Sequence, residues 1–236
     1  MSDQPKKGIL FKAPMVLALL NTKPNVWPAE PIDPAMPFKW QTRRLVKPQP
    51  EYQGRESFGD SWKWSKGKDW FSGVTTEQLV GHAGLCFPDR VPYQVGDVLF
   101  VRETFLYRAQ KTAVIYRANL DPCEAAGIGA MYGGWKPSIF MPRSASRIWV
   151  QVKRVRVEKV NAITEEDAKA EGIEGRWHPN QSDLWTWRDY SIPGRFAYGS
   201  MFKANHAYGT LWDSINGKGD FDKGPWCFCY DLMRVK

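Results

Sequence analysis

The cysteines and histidines are the residues of this sequence whose types could hold a metal ion. The 236-residue chain contains seven of them: Cys86, Cys123, Cys227, Cys229, His82, His178 and His206. Cys227 and Cys229 are two residues apart, but no histidine lies at zinc-motif spacing from this pair. On a strand both thiols point to one face, where cysteine serves as a small core residue. We therefore expect no metal site, no cofactor, and reduced thiols in a cytoplasmic protein.

Basic residues are concentrated in two stretches that contain no acidic residue. The net charge of +8 favours a polyanionic partner. The first stretch, 34–50, contains Lys39, Arg43, Arg44 and Lys47. The second runs over 125–157, and a run rich in acidic residues follows it at 158–174. This segregation indicates either a polyanion-binding surface or a solvated face whose counter-charges lie elsewhere in the fold.

Short strands and helices must position these residues. We predict a strand and helix over 8–20, a buried strand over 98–101, strands over 112–116, 147–160 and 226–235, and helices over 164–172 and 206–215. Thr164 is a good N-cap, and Gly172 ends its helix. The valines of the strand over 147–160 change parity, which predicts a bulge near Lys153 and Arg154. The pattern favours a barrel-like α+β domain. The apolar run 15–20 is too short for a membrane span.

Five ordered blocks carry a resemblance to a known family. They are 8–20, 41–44, 96–103, 136–143 and 211–216. In these blocks the chain resembles the ASCH-domain proteins, in particular a version common in phages and prophages. The resemblance implies one α+β domain over 1–236, a PUA-like small β-barrel flanked by short helices, with long loop insertions at 21–38, 48–92 and 174–204. It also implies handling of RNA, DNA or a nucleoside. Some smaller members remove the acetyl group from acetylcytidine, and one is reported as a ribonuclease.

The resemblance implies three catalytic residues. The amidohydrolase members carry a Lys-x-x-Thr motif, matched here by Lys39 to Thr42, and a glutamate on a later helix, matched by Glu171. Thr42 would act as the nucleophile or position a water, neutral Lys39 would be the base, and Glu171 would pass a proton to the leaving amine. On a strand Lys39 and Thr42 would face opposite sides, so they converge only on a turn or an irregular loop. Two departures, the proline-rich segment before Lys39 and Trp40 where the family commonly has threonine, would reshape or block a small pocket.

Glu171 also carries a signal of its own. It lies in the last turn of its predicted helix, where the macrodipole disfavours an anion. A cationic partner is therefore expected, and Lys39 and Arg43 are the candidates.

The basic residues indicate how a nucleic acid would be held. Trp40 would stack on a base, and the phosphate contacts would come from Arg43, Arg44, Lys136, Arg143 and Arg147. Arg43 and Arg44 have an alternative interpretation, in which their stems pack on the barrel and they pair with acids such as Glu103.

Three functions remain open at this point. The first is an ASCH module that binds RNA, DNA or a nucleoside. The second is a hydrolase, either an acylcytidine amidohydrolase or a nuclease. The third is a phage accessory or assembly protein in the host cytoplasm that binds protein partners through its insertions. One cleft joining Lys39, Thr42 and Glu171 favours the second, a continuous basic groove favours the first, and a large exposed apolar patch favours the third.

Overall fold

The fold is given by a computed structural model. It describes residues 7–33, 36–47, 49–56, 59–64, 70–71, 91–108, 113–178, 184–197 and 203–236. The strands are β1 (Lys7–Leu10), β2 (Gln41–Leu45), β3 (Pro50–Glu56), β4 (Gly59–Trp64), β5 (Trp70–Phe71), β6 (Val98–Arg102), β7 (Phe105–Arg108), β8 (Ala113–Tyr116), β9 (Trp149–Lys159), β10 (Gly175–His178), β11 (Leu184–Arg188), β12 (Phe196–Ala197) and β13 (Trp226–Arg234). The helices are α1 (Ala13–Leu20), α2 (Pro122–Met131), α3 (Glu165–Ala170) and α4 (Ala204–Asn216).

The central sheet has five strands in the order β1-β6-β9-β13-β2. β1 pairs with β6 in parallel, and the other three pairings are antiparallel. Within the described residues no pairing joins β1 to β2, so the sheet is open there, where a closed barrel is expected from the sequence. Helices beside mixed sheets confirm the α+β class.

The inner strands β6 and β9 of this sheet contribute buried apolar residues to the core. Leu99, Phe100 and Val101 of β6 are buried, as the sequence predicts. On β9, Val152 and Val157 are both buried although their parities differ. Opposite them, Asp231 pairs with Arg154 but Leu232 pairs with Val152, which leaves Lys153 as the extra residue of a bulge. The predicted bulge is confirmed.

Two of the segments predicted as loop insertions contain small antiparallel sheets. β3, β4 and β5 form one, and β10, β11 and β12 form the other. The second is held by alternating aromatic residues, since Trp185 and Trp187 stack with ring centroids 5.2 Å apart. The proline-rich segment 21–38 has no strand or helix in its described part, and the Asn21 side chain ties it down by donating to the carbonyl oxygens of Asp33, Met36 and Pro37.

Candidate active site

Lys39 is positioned by backbone hydrogen bonds between the segment before β2 and two helices. Its N–H donates to the carbonyl oxygen of Ala18 in α1 at 3.1 Å, and the N–H of Trp40 donates to that of Ala170 in α3 at 3.0 Å. Gly172 follows α3 with φ of +73°, which confirms it as the end of the helix. A β-carbon there would lie 2.9 Å from Lys39 Cβ, so glycine is required for this close approach.

The ammonium group of Lys39 is fully buried and uses all three of its N–H donors. Nζ donates to the carbonyl oxygen of Gln41 at 2.5 Å, to that of Glu171 at 2.6 Å, and to Glu171 Oε2 at 3.0 Å. Burial lowers the pKa of Lys39 to about 8, against the opposing effect of the Glu171 carboxylate. The cationic form is therefore the one that this geometry accommodates.

Arg43 brackets the same carboxylate from the other side. Its Nη1 donates to Glu171 Oε1 at 3.3 Å and to Gln41 Oε1 at 2.7 Å. Its Nη2 donates to Asp167 at 2.9 Å and to Glu158 at 3.1 Å. The prediction that Glu171 has a cationic partner is confirmed, with both candidates in contact. Two fixed cations hold the carboxylate in one orientation, and each of its oxygens keeps a second acceptor site.

A cavity of about 320 Å³ opens beside Arg43 and Glu171, and we call it the first cavity. Its lining residues come from β1, α1, β2, the loop at 138, the end of α3, and α4. They are Leu10, Phe11, Lys12, Met15, Thr42, Arg43, Arg44, Leu45, Ser138, Glu171, Tyr208, Leu211, Trp212, Ile215 and Asn216. Thr42 and Glu171, both at most 2% exposed, therefore present their remaining surface to one small space.

The structure separates Lys39 from the role expected for it. Thr42 is not among the three acceptors of its ammonium group, and Lys39 is absent from the cavity lining. Lys39 precedes β2 and Thr42 lies on it, so the convergence expected of a Lys-x-x-Thr motif does not become a direct contact. Of the three residues, Thr42 and Glu171 line the first cavity. Lys39 does not line it, but its ammonium group donates a hydrogen bond to the carboxylate of Glu171.

Two of the arginines expected to contact phosphates are engaged in ion pairs instead. The side chain of Arg43 has no exposed surface, because it fills the gap between carboxylates. Arg147 forms a two-pronged ion pair with Glu103, with both N···O distances 2.8 Å. The alternative interpretation, in which Arg43 is packed in the fold and paired with acids, is confirmed for Arg43, but its partners are Glu158, Asp167 and Glu171, and Glu103 pairs with Arg147. Both guanidinium groups support the fold, because desolvated carboxylates require them.

The remaining predicted nucleic-acid contacts are more accessible. Lys136 and Arg143 are exposed, and the ammonium group of Lys136 lies 5.5 Å from the ring centroid of Tyr107. Arg44 is half-buried at the first cavity, where it donates to the carbonyl oxygen of Leu10 at 2.6 Å and lies over the ring of Phe11. Trp40 is half-buried against the edge of Trp27, with ring centroids 5.9 Å apart. The lysine- and tryptophan-rich run 61–70 belongs to residues whose side chains lie outside the description.

Sequence reasoning missed four residues that build the site. Gln41 has the same parity on β2 as Arg43, which it contacts, and Asp167 lies one helical turn before Glu171 on α3. Those two spacings were available as signals. Glu158 and Tyr208 had no such signal, because their distance from the motif in the sequence says nothing about their proximity in the fold.

The cysteine pair lies in the core, as the sequence predicts. Cys227 and Cys229 are fully buried with their sulfurs 3.9 Å apart. Cys86 and His82 lie outside the described residues. Within the described part of the chain, no group of three or more His, Cys, Asp and Glu side chains is arranged to hold a metal. Among the described helices, none is both long and apolar enough to cross a membrane.

Comparison with protein-family models, with curated proteins and with solved structures found no match for this chain.

Proposed function

We propose that this protein is a PUA-like, ASCH-type amidohydrolase that removes an acyl group from the exocyclic amine of a cytidine-type nucleoside. The observation that carries the proposal is the Glu171 carboxylate, clamped between buried Lys39 and Arg43 at a small cavity that Thr42 also lines. A buried carboxylate that is paired with two cations beside a cleft is a candidate for a functional group.

The dimensions of the first cavity favour a single nucleoside. Its volume of about 320 Å³ is near the lower end of the range that small-molecule sites occupy. Phe11, Tyr208 and Trp212 give it apolar and aromatic walls suited to a base. Thr42, Glu171 and Arg44 supply a few polar groups that would fix the orientation of the amide.

Glu171 would act as the proton carrier of the hydrolysis. Its free acceptor sites take a proton from a water molecule, the water oxygen bonds to the acyl carbon, and the C–N bond then breaks as the same proton passes to the leaving amine. Arg44 would stabilise the oxyanion, and the hydroxyl of Thr42 would orient the water. Lys39 is a positioning residue in this scheme, since it contacts Glu171 and not the cavity.

Hydrolysis of N4-acetylcytidine by the purified protein is the direct test. Chromatography should show cytidine accumulating, and Thr42→Val should lower kcat/KM by about tenfold to a hundredfold, because valine keeps the shape and removes one hydrogen bond to the reacting water. Thr186→Val is the matched control, since Thr186 is 4% exposed, lies on β11 and does not line the cavity. Absence of turnover by the folded wild-type protein at high enzyme concentration, both for the free nucleoside and for a short RNA that contains it, would contradict the proposal.

The pH dependence should report the charge on Lys39. The pKa of this lysine is lowered to about 8, so its ammonium form holds Glu171 below that pH and is lost above it. We expect kcat/KM to be level below pH 8 and then to fall by roughly tenfold per pH unit. The measurement is a rate profile over pH 6 to 10, with circular dichroism at each pH as the control for folding. A rate that rises through pH 8 would instead identify neutral Lys39 as a base and contradict its positioning role.

A further inference from the structure

A second, larger cavity adjoins the proposed nucleoside site. It measures about 660 Å³, and its walls come from the N-terminal part of α1, the turn at 117–120, the start of α2 and the small sheet containing β10 and β11. Phe11, Lys12 and Ser138 line both cavities. The two spaces are therefore neighbouring parts of one groove, with the Lys12 side chain at their junction.

The charges of the second cavity leave a cationic surplus. Its two acids, Glu103 and Glu174, are each paired with an arginine, Arg147 and Arg188 respectively. Lys12 and Arg117 are exposed, and within the described residues no salt bridge involves either of them. An anion placed in this groove would therefore meet two cations, while the nearby carboxylates are already neutralised.

Two adjoining cavities with exposed cations suit a nucleic-acid strand better than a free nucleoside. One cavity has the size for a single base and sugar, the adjoining one has about twice that volume, and a lysine marks the boundary where a phosphodiester would lie. A free nucleoside carries no phosphate, so it would make no ionic contact with Lys12 or Arg117.

We infer that the substrate is a modified cytidine within a single-stranded oligonucleotide, whose neighbouring nucleotide occupies the second cavity with its phosphate at Lys12 and Arg117. This inference rests on the proposed function for the reaction itself, but the binding of the strand is separable from it.

Binding is the first readout, because it does not require turnover. Calorimetry should show an RNA trinucleotide with central cytidine binding at least about tenfold more tightly than cytidine, with an advantage that shrinks as salt is raised. Arg117→Gln should remove most of that advantage and leave cytidine binding unchanged, since Arg117 does not line the first cavity. Arg108→Gln is the matched control, because Arg108 is exposed and lines neither cavity. A DNA trinucleotide of the same sequence distinguishes the two kinds of strand.

The hydrolysis of acetylated trinucleotide and acetylated nucleoside is measured in parallel. Equal affinity for trinucleotide and cytidine, or an Arg117→Gln protein that binds the trinucleotide as tightly as wild type, would overturn the inference. Failure to hydrolyse either acetylated compound would overturn the proposed function instead, and the binding data alone would then decide whether a strand occupies the groove.

Discussion

The Glu171→Gln variant should lose deacetylation of N4-acetylcytidine, with kcat/KM lower by about a hundredfold to ten-thousandfold, the range expected for a general acid–base group. Glutamine keeps the size of the side chain and one acceptor for Lys39, but it cannot carry the proton from water to the leaving amine. The loss should appear in kcat, because the proton transfers belong to the transition state. Steady-state kinetics followed by chromatography measures it directly.

The matched control for this variant lies on the same helix. Glu166→Gln makes the same chemical change at an exposed position of α3 that does not line the first cavity, so its activity should stay at the wild-type level. Both variants are compared at a temperature where circular dichroism shows each to be folded. If Glu171→Gln kept its rate within a few-fold of wild type, Glu171 would not be the proton carrier.

Replacing Arg43 with methionine should lower the free energy of unfolding by about 3–5 kcal/mol, the usual effect of removing one partner from a buried ion pair. The Arg43 guanidinium holds Glu158, Asp167 and Glu171, whose side chains are 14%, 20% and 2% exposed. Without it, carboxylates that are largely removed from water lose their shared cation. Urea denaturation followed by tryptophan fluorescence gives the change in free energy.

Arg154→Met provides the comparison. Arg154 also binds a buried carboxylate, Asp231 at 2.6 Å, but its own side chain is 57% exposed and Asp231 keeps Arg156 as a second partner. The expected loss is under about 1 kcal/mol, because the charge of the exposed Arg154 is screened by water and Arg156 still pairs with Asp231. Similar losses of unfolding free energy for the two variants would show that the buried ion pairs of Arg43 stabilise the fold no more than the exposed pair of Arg154 does.

Local signals predicted the parts of the fold that depend on neighbouring residues. Thr164 accepts a hydrogen bond from the N–H of Asp167 at the start of α3, and Gly172 ends that helix, because capping needs only a few residues in sequence. The bulge at Lys153 could also be predicted, because the change in parity of the buried valines occurs within one strand.

The contacts among Lys39, Arg43 and Glu171 join residues from different segments of the chain, so no single segment predicts all of them. The Lys-x-x-Thr resemblance grouped Lys39 with Thr42, but no hydrogen bond joins the ammonium group of Lys39 to Thr42 in the structure. The contact between Lys39 and Glu171 was predicted, because Glu171 lies at the end of its helix and needs a cationic partner. Glu103, the example of an acid for Arg43 and Arg44, pairs with Arg147 instead, because which of several arginines reaches one glutamate depends on tertiary contacts that no local pattern contains. Within the described part of the chain, β1 and β2 are likewise the edge strands of the central sheet because of pairings that no local pattern specifies.

The placement of β2 at one end of the central sheet affects when the site can form during synthesis. Its strand pairing within that sheet is with β13, where Thr42 lies opposite Tyr230. Contacts between residues so far apart in sequence form slowly, because a long loop must close first. A ribosome-bound chain that has not yet released residues 226–234 therefore has nowhere to dock the strand that carries Thr42 and Arg43. The candidate site and the central sheet are therefore completed in the same late step, so an unfinished chain lacks both.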